Sequence, residues 1–141
     1  MPVRNASAQW EGDLKSGKGV MRFADFEGPY TFARFEEQGD GTDPEELVGA
    51  SLAGCFSMAL ANKLAQAGHP PTRVATDARV HLDRTDAGPT ITTIELSLEA
   101  EVPGIDRETF DRLVEETRTG CPISRALGGV EKKVDAKLLG A

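Results

Sequence analysis

Positive charge is scarce in this chain of 141 residues: 16 lysines and arginines face 23 aspartates and glutamates, for a formal net charge of -7. That balance excludes nucleic acid, whose phosphates need a basic surface, and it excludes an anionic membrane surface. Histidines number 2 and cysteines 2. His69 lies in a Gly-His-Pro-Pro loop and His81 on a strand face, and no C-x-x-C or H-x-x-x-H pair exists, so the spacing does not support a zinc site. No Ser-His-Asp signature, G-x-S-x-G, P-loop or dinucleotide fingerprint is present. A long hydrophobic run is also missing. The longest uncharged stretch, Leu47 to Asn62, falls short of the roughly 18 apolar residues that argue for a membrane span and reads as a buried helix. The opening MPVRNASAQW has no apolar h-region, so no signal peptide is expected and the cytosol is the expected compartment. In that reducing compartment two cysteines do not make a permanent structural disulfide; they are inert core thiols or redox chemistry.

What is present describes a soluble globular protein. Apolar residues at 39% and charged residues at 28% suit one domain over residues 1–141 with a core of its own. The first third reads as a β-meander. Ala6, Ala8 and Trp10 alternate, Val20 to Phe23 form a second strand, and Glu27-Gly28-Pro29 turns into a third, Tyr30 to Phe35. A Gly-rich acidic loop follows. Asp43 as N-cap, Pro44 at the first helical position and Glu46 at the third then start a helix. It runs to about Gln66, is stopped by Gly68, and is apolar nearly all round, as suits a central core helix. Two alternating segments, carrying Val74 to Leu82 and Ile94 to Val102, make a long antiparallel hairpin around Asp86 to Pro89. A second helix is capped by Asp106 and stapled by Ile105 and Phe110, with Phe110, Leu113, Val114 and Thr117 inward. Cys121-Pro122 opens a short third helix to about Leu127, and a last strand covers Val130 to Leu138. The order βββ-α-ββ-αα-β is α+β, with helices packed on antiparallel sheet. The meander (about residues 1–35) is marginal as a sheet on its own, so it is expected to pack on a partner subunit; the plainer alternative is one monomeric sheet.

Four residues are candidates for chemistry. Cys55 sits beyond the first turn of the central helix, out of useful reach of its dipole. Its position alone favours an inert buried cysteine; a reactive one needs another group to lower its pKa from about 8.5. Cys121, before Pro122 at a helix start, is the more acidic by position, since free N–H groups there stabilise a sulfur anion. Arg34 shares a face with Tyr30 and Phe32 by strand period. It is either a snorkelling surface arginine or a cation that activates Cys55. Glu45 either offsets the helix dipole or orients Arg34.

These residues lie in longer strings. Trp10-Glu11-Gly12-Asp13-Leu14-Lys15-Ser16-Gly17-Lys18-Gly19, Thr42-Asp43-Pro44-Glu45-Glu46-Leu47-Val48-Gly49-Ala50, Ala53-Gly54-Cys55-Phe56-Ser57-Met58-Ala59-Leu60, Val102-Pro103-Gly104-Ile105-Asp106 and Gly120-Cys121-Pro122-Ile123-Ser124 resemble the osmotically inducible protein C (OsmC) family. The resemblance spans nearly the whole chain. The Trp-Glu-Gly-Asp start and Ala33-Arg34-Phe35 resemble its OsmC branch more than the related organic hydroperoxide resistance proteins. Asp43 stands where many members have Asn, an equally good cap. The resemblance implies an intertwined homodimer with its active sites at the subunit interface. It implies a cysteine peroxidase that reduces organic hydroperoxides in oxidative or osmotic stress, with Cys55 peroxidatic, Cys121 resolving, Arg34 activating and Glu45 orienting Arg34. It implies an external thiol reductant, for instance a lipoyl dithiol, and no cofactor or metal. Apolar neighbours of Cys55 (Leu52, Phe56, Met58) favour apolar peroxides. The rival reading is a non-catalytic dimeric binding module for a hydrophobic ligand, with inert thiols.

Overall fold

The computed structural model describes residues 2–32 and 41–140. The chain divides into two compact units, Met1–Leu47 and Val48–Ala141.

The first unit is a three-stranded antiparallel sheet of β1 (Ala6–Glu11), β2 (Lys18–Phe23) and β3 (Phe26–Tyr30), in that order. The β1–β2 connection is built on Asp13: its carboxylate accepts the Ser16 N–H at 2.8 Å and its carbonyl accepts Gly17 N–H at 2.9 Å. Ser16 holds the Asp13 carboxyl below its ordinary pKa. Gly19 lies between Trp10 and Tyr30 in register, and the two rings close over it with centroids 5.3 Å apart. The third strand differs from the expected Tyr30 to Phe35. Phe23 pairs with Phe26, so the turn falls at Ala24-Asp25, with Ala24 at φ 51°. Pro29 thereby sits inside β3, which tolerates it because β3 is an edge strand. The strand ends at Tyr30, and Phe32 already has helical backbone. The shared strand face of Tyr30, Phe32 and Arg34 therefore does not extend past Tyr30, and Arg34 lies outside the described residues.

From Gly41 the backbone returns to β3. Thr42 N–H donates to Pro29 carbonyl at 3.1 Å, and Thr42 bridges Tyr30. Gly41 is at φ 84°, and a Cβ there would stand 2.1 Å from the Pro29 oxygen, so this approach requires glycine. It delivers the start of α1 (Pro44–Gln66). Asp43 caps it as expected, accepting Glu46 N–H at 2.8 Å, while the Glu46 carboxylate accepts from the Thr42 hydroxyl at 3.2 Å. At the far end Gly68 (φ 88°) donates to Ala65 carbonyl and His69 to Leu64 carbonyl, the paired bonds of a Schellman motif.

The second unit holds β4 (Arg73–Thr85), β5 (Gly88–Glu101), α2 (Arg107–Gly120), α3 (Pro122–Ala126) and β6 (Glu131–Leu139). β4 and β5 form the expected hairpin, tighter than expected: Thr85 pairs with Gly88 across Asp86-Ala87, and the register shifts by one near His81 and Leu82. β6 pairs with β5 in parallel, not antiparallel, making β5 the central strand. The physical reason is the connection: α2 and α3 fill a crossover between β5 and β6, as parallel neighbours need. Asp106 caps α2 through Thr109 N–H (2.9 Å) and hydroxyl (2.8 Å), and both staple residues, Ile105 and Phe110, are buried.

The core of this unit joins Leu52, Phe56, Leu60 and Leu64 of α1 to Ile94, Leu96, Leu98 and Ala100 of β5 and to Phe110, Leu113 and Val114 of α2. By length and mean hydropathy (1.3) α1 could cross a bilayer, but its row of four side chains at 0–1% exposure marks it as a core helix. It comes close to β4 at Gly49, where a Cβ would meet Val80 Cγ2 at 3.0 Å, and Ser57 and Thr76 hydroxyls share a hydrogen bond of 2.7 Å. Unlike the all-round burial expected, α1 is exposed along Ser51, Gly54 and Met58, the last at 76%. Met58 therefore adds little to the burial of Cys55 within this chain.

Candidate active site

The Cys121-Pro122 dipeptide fixes the geometry of one half of the site. A residue before proline is driven out of the α region, and Cys121 has φ -70°, ψ 146°. This breaks the chain between two helices and makes Cys121 the cap of both. Its N–H donates to Thr117 carbonyl at 3.2 Å, ending α2; its Sγ accepts Ser124 N–H at 3.4 Å, starting α3. Thr117, Cys121 and Ser124 are all buried, with Cys121 at 2% exposure.

Cys55 supplies the other half. It flanks Phe56 on α1, half-buried against the core, and its thiol lies near enough to that of Cys121 to disfavour ionisation there. The two are free thiols. The sequence places them 66 positions apart, and the packing of α1, β5 and α2 brings them together.

The acidity expected of Cys121 is corrected by its surroundings. Burial pushes its thiol pKa up, and the neighbouring Cys55 pushes the same way; the Ser124 and Ile123 amides pull it down by less. The cap contact predicted from sequence is present, but desolvation of a thiolate outweighs a bond from a neutral amide at a five-residue helix.

Glu45 sits in the first turn of α1, in a cleft of about 350 Å³ lined with Trp10, Leu14, Tyr30 and Phe32 among others. Thus the structure brings Cys55 and Cys121 together and sets Glu45 among aromatic side chains of the first unit; Arg34 lies outside the described residues. Nothing in its sequence context singles out Ser124, because the backbone N–H of any non-proline residue at the third helical position can meet a cap. His81 faces Glu95, with Nε2 to Oε2 at 3.2 Å, and Arg79 reaches the same oxygen at 3.2 Å. Among the described residues no three His, Cys, Asp or Glu side chains are grouped to hold a metal ion.

The family model described as OsmC-like protein matches residues 37–136. The chain is 48% identical over 128 residues to peroxiredoxin OsmC of Escherichia coli, covering 88% of this chain and 89% of that one. It is 35% identical over 92 residues to an organic hydroperoxide resistance protein of Xanthomonas axonopodis, covering 64% and 63%. In structure it resembles an OsmC-like protein from Mycoplasma pneumoniae (TM-score 0.77, 18% identity, 99% of each chain). It also resembles the organic hydroperoxide resistance protein OhrB of Bacillus subtilis (TM-score 0.69, 25% identity, 94% and 98% of the chains).

Proposed function

This chain belongs to the OsmC-like protein family, and we propose that it reduces organic hydroperoxides to alcohols with Cys55 as the attacking and Cys121 as the resolving thiol. It is a cysteine-based peroxidase that detoxifies hydroperoxides in stress defence. The observation that supports the assignment of residues is the nearness of the half-buried Cys55 thiol to the buried Cys121 thiol.

The Cys55 thiolate attacks the distal oxygen of ROOH; the O–O bond breaks, and the alkoxide leaves as ROH after taking a proton. Cys55 is then a sulfenic acid. Cys121 attacks its sulfur, water leaves, and a Cys55–Cys121 disulfide forms. An external thiol restores both cysteines; a dithiol of the lipoyl type meets the need. Arg34 stabilises the Cys55 thiolate and the charge developing on the leaving oxygen. Glu45 holds the Arg34 guanidinium in a paired hydrogen bond. The burial of Cys121 suits this division of labour. A thiol kept neutral does not compete for peroxide, yet it stands beside the sulfur it must later attack.

The working unit is a homodimer. What supports this is the exposed stripe of Ser51, Gly54 and Met58 on an otherwise apolar α1, where small residues permit close approach of another helix, and the small size of the first unit's sheet. The cytosol, with its thiol reductants, is the compartment that suits the cycle.

Mixing the reduced protein with one equivalent of cumene hydroperoxide tests the reading. Wild type should lose two thiols per chain. Cys55→Ser should lose none rapidly and should not turn over, and Arg34→Ala should slow the first thiol loss. Full activity of Cys55→Ser overturns the assignment.

A further inference from the structure

The core-facing row of β6 reads Lys132, Val134, Ala136 and Leu138: an ammonium group heads an apolar row. Lys132 pairs in register with Ile94, a fully buried residue of the central strand, so its stem runs along the core. A cation in such a place must find acceptors. Its Nζ donates to the Ser124 carbonyl at 2.9 Å and to the Leu127 carbonyl, both at the C-terminal end of α3. Only five residues long, α3 is too short to hold its shape by propensity. A charge-assisted bond to its last carbonyls also suits the negative end of its dipole.

The acceptor Ser124 is tied in three directions. Its N–H donates to Cys121 Sγ at 3.4 Å, its hydroxyl donates to the Arg118 carbonyl near the end of α2, and its carbonyl accepts from Lys132. We propose that Lys132 is a positioning residue for the resolving step: by clamping α3 to β6 through Ser124, it keeps the Cys121 sulfur beside Cys55. The proposal rests on the assignment of Cys121 as resolving thiol. Lys132 takes no part in the attack on peroxide. Its effect falls on the condensation of the Cys55 sulfenic acid with the Cys121 thiol, in which an S–S bond forms and water leaves. Loosening α3 lowers the local concentration of Cys121 and weakens the Ser124 amide bond that opposes the rise in its pKa.

Lys132→Met keeps the stem in an apolar row and removes the cation, and Lys132→Arg restores a cation. Single-turnover mixing with one equivalent of cumene hydroperoxide separates the first thiol loss from the second. In Lys132→Met the first phase should stay within about twofold of wild type, while the second slows about tenfold, a loss confined to one step of the cycle. The pH midpoint of that second phase should move to higher pH. Under excess peroxide, sulfinic acid at Cys55, read as a mass gain, should accumulate several-fold more than in wild type, because the sulfenic acid waits longer. Lys132→Arg should recover most of the second-phase rate. A second phase within twofold of wild type in Lys132→Met overturns the proposal, as does equal slowing of both phases, or a Lys132→Arg variant as slow as Lys132→Met. A wild type that loses only one thiol per chain overturns the assignment of Cys121 itself, an outcome separate from any effect at Lys132.

Discussion

Replacing Cys121 by serine and by alanine separates the capping contact its sulfur makes from the resolving role proposed for it. In the folded chain Cys121 Sγ accepts the Ser124 N–H at 3.4 Å, and both residues are buried, at 2% and 3% exposure. Alanine removes the acceptor. The orphaned buried amide costs about 1–2 kcal/mol, the range for losing a helix cap, and the small void left by the sulfur adds about 1 kcal/mol. Cys121→Ala should therefore be less stable than wild type by about 2–3 kcal/mol, a sizeable part of a marginal total. Serine retains an oxygen that caps better than sulfur, against the cost of burying a hydroxyl, so Cys121→Ser should lie within about 1 kcal/mol of wild type. Urea unfolding under reducing conditions, followed by circular dichroism, measures the difference between the two variants. In chemistry they should behave alike: each should lose one thiol to one equivalent of hydroperoxide and stall with Cys55 as a trappable sulfenic acid. Equal stability of the two variants would refute the capping role. Turnover of either variant at the wild-type rate with a dithiol reductant, without an accumulating sulfenic acid, would refute the resolving role.

Two further outcomes follow from the geometry. Burial and Cys55 hold the Cys121 thiol above its ordinary pKa; the second-thiol phase should therefore quicken with pH through the alkaline range as the thiolate fraction grows. Stability runs the other way: a neutral buried thiol contributes fully below the unfolded thiol pKa, and that contribution is lost as pH rises through the higher folded value. A second phase independent of pH, measured by stopped-flow thiol titration from neutral to alkaline pH, would contradict this. Gly19→Ala places a Cβ 2.4 Å from Tyr30 Cε1 and 2.7 Å from Trp10 Cε3; it should displace the only tryptophan of the chain, shift its fluorescence, and destabilise the first unit by about 1–3 kcal/mol. Unchanged emission would show that the rings do not close over Gly19.

The legible parts of the fold were those with local causes. Asp43 and Pro44 started α1 and Gly68 ended it, because cap chemistry acts within one turn. Asp106 with Ile105 and Phe110 did the same for α2. Alternation in Ile94, Leu96, Leu98 and Ala100 named the buried face of β5, because a strand's side chains alternate whatever pairs with it. The third strand was misplaced because a turn at Ala24-Asp25 has no glycine or proline to mark it, while Gly28-Pro29 resembles a turn and is carried by an edge strand. The parallel pairing of β6 was invisible, since alternation is the same in either direction.

The strings around Cys55 and Cys121 determined the family and, with it, a cysteine-based chemistry, since the roles proposed for the two sulfurs require these residue types. Tertiary structure decided their relation. Only the packing of α1 and α2 on the sheet sets Cys121 beside Cys55, and only that burial reverses the acidity a helix start suggests. The reason is one of range: a cap bond is local and can be read from neighbours in sequence, whereas the desolvation of a thiol depends on everything packed around it.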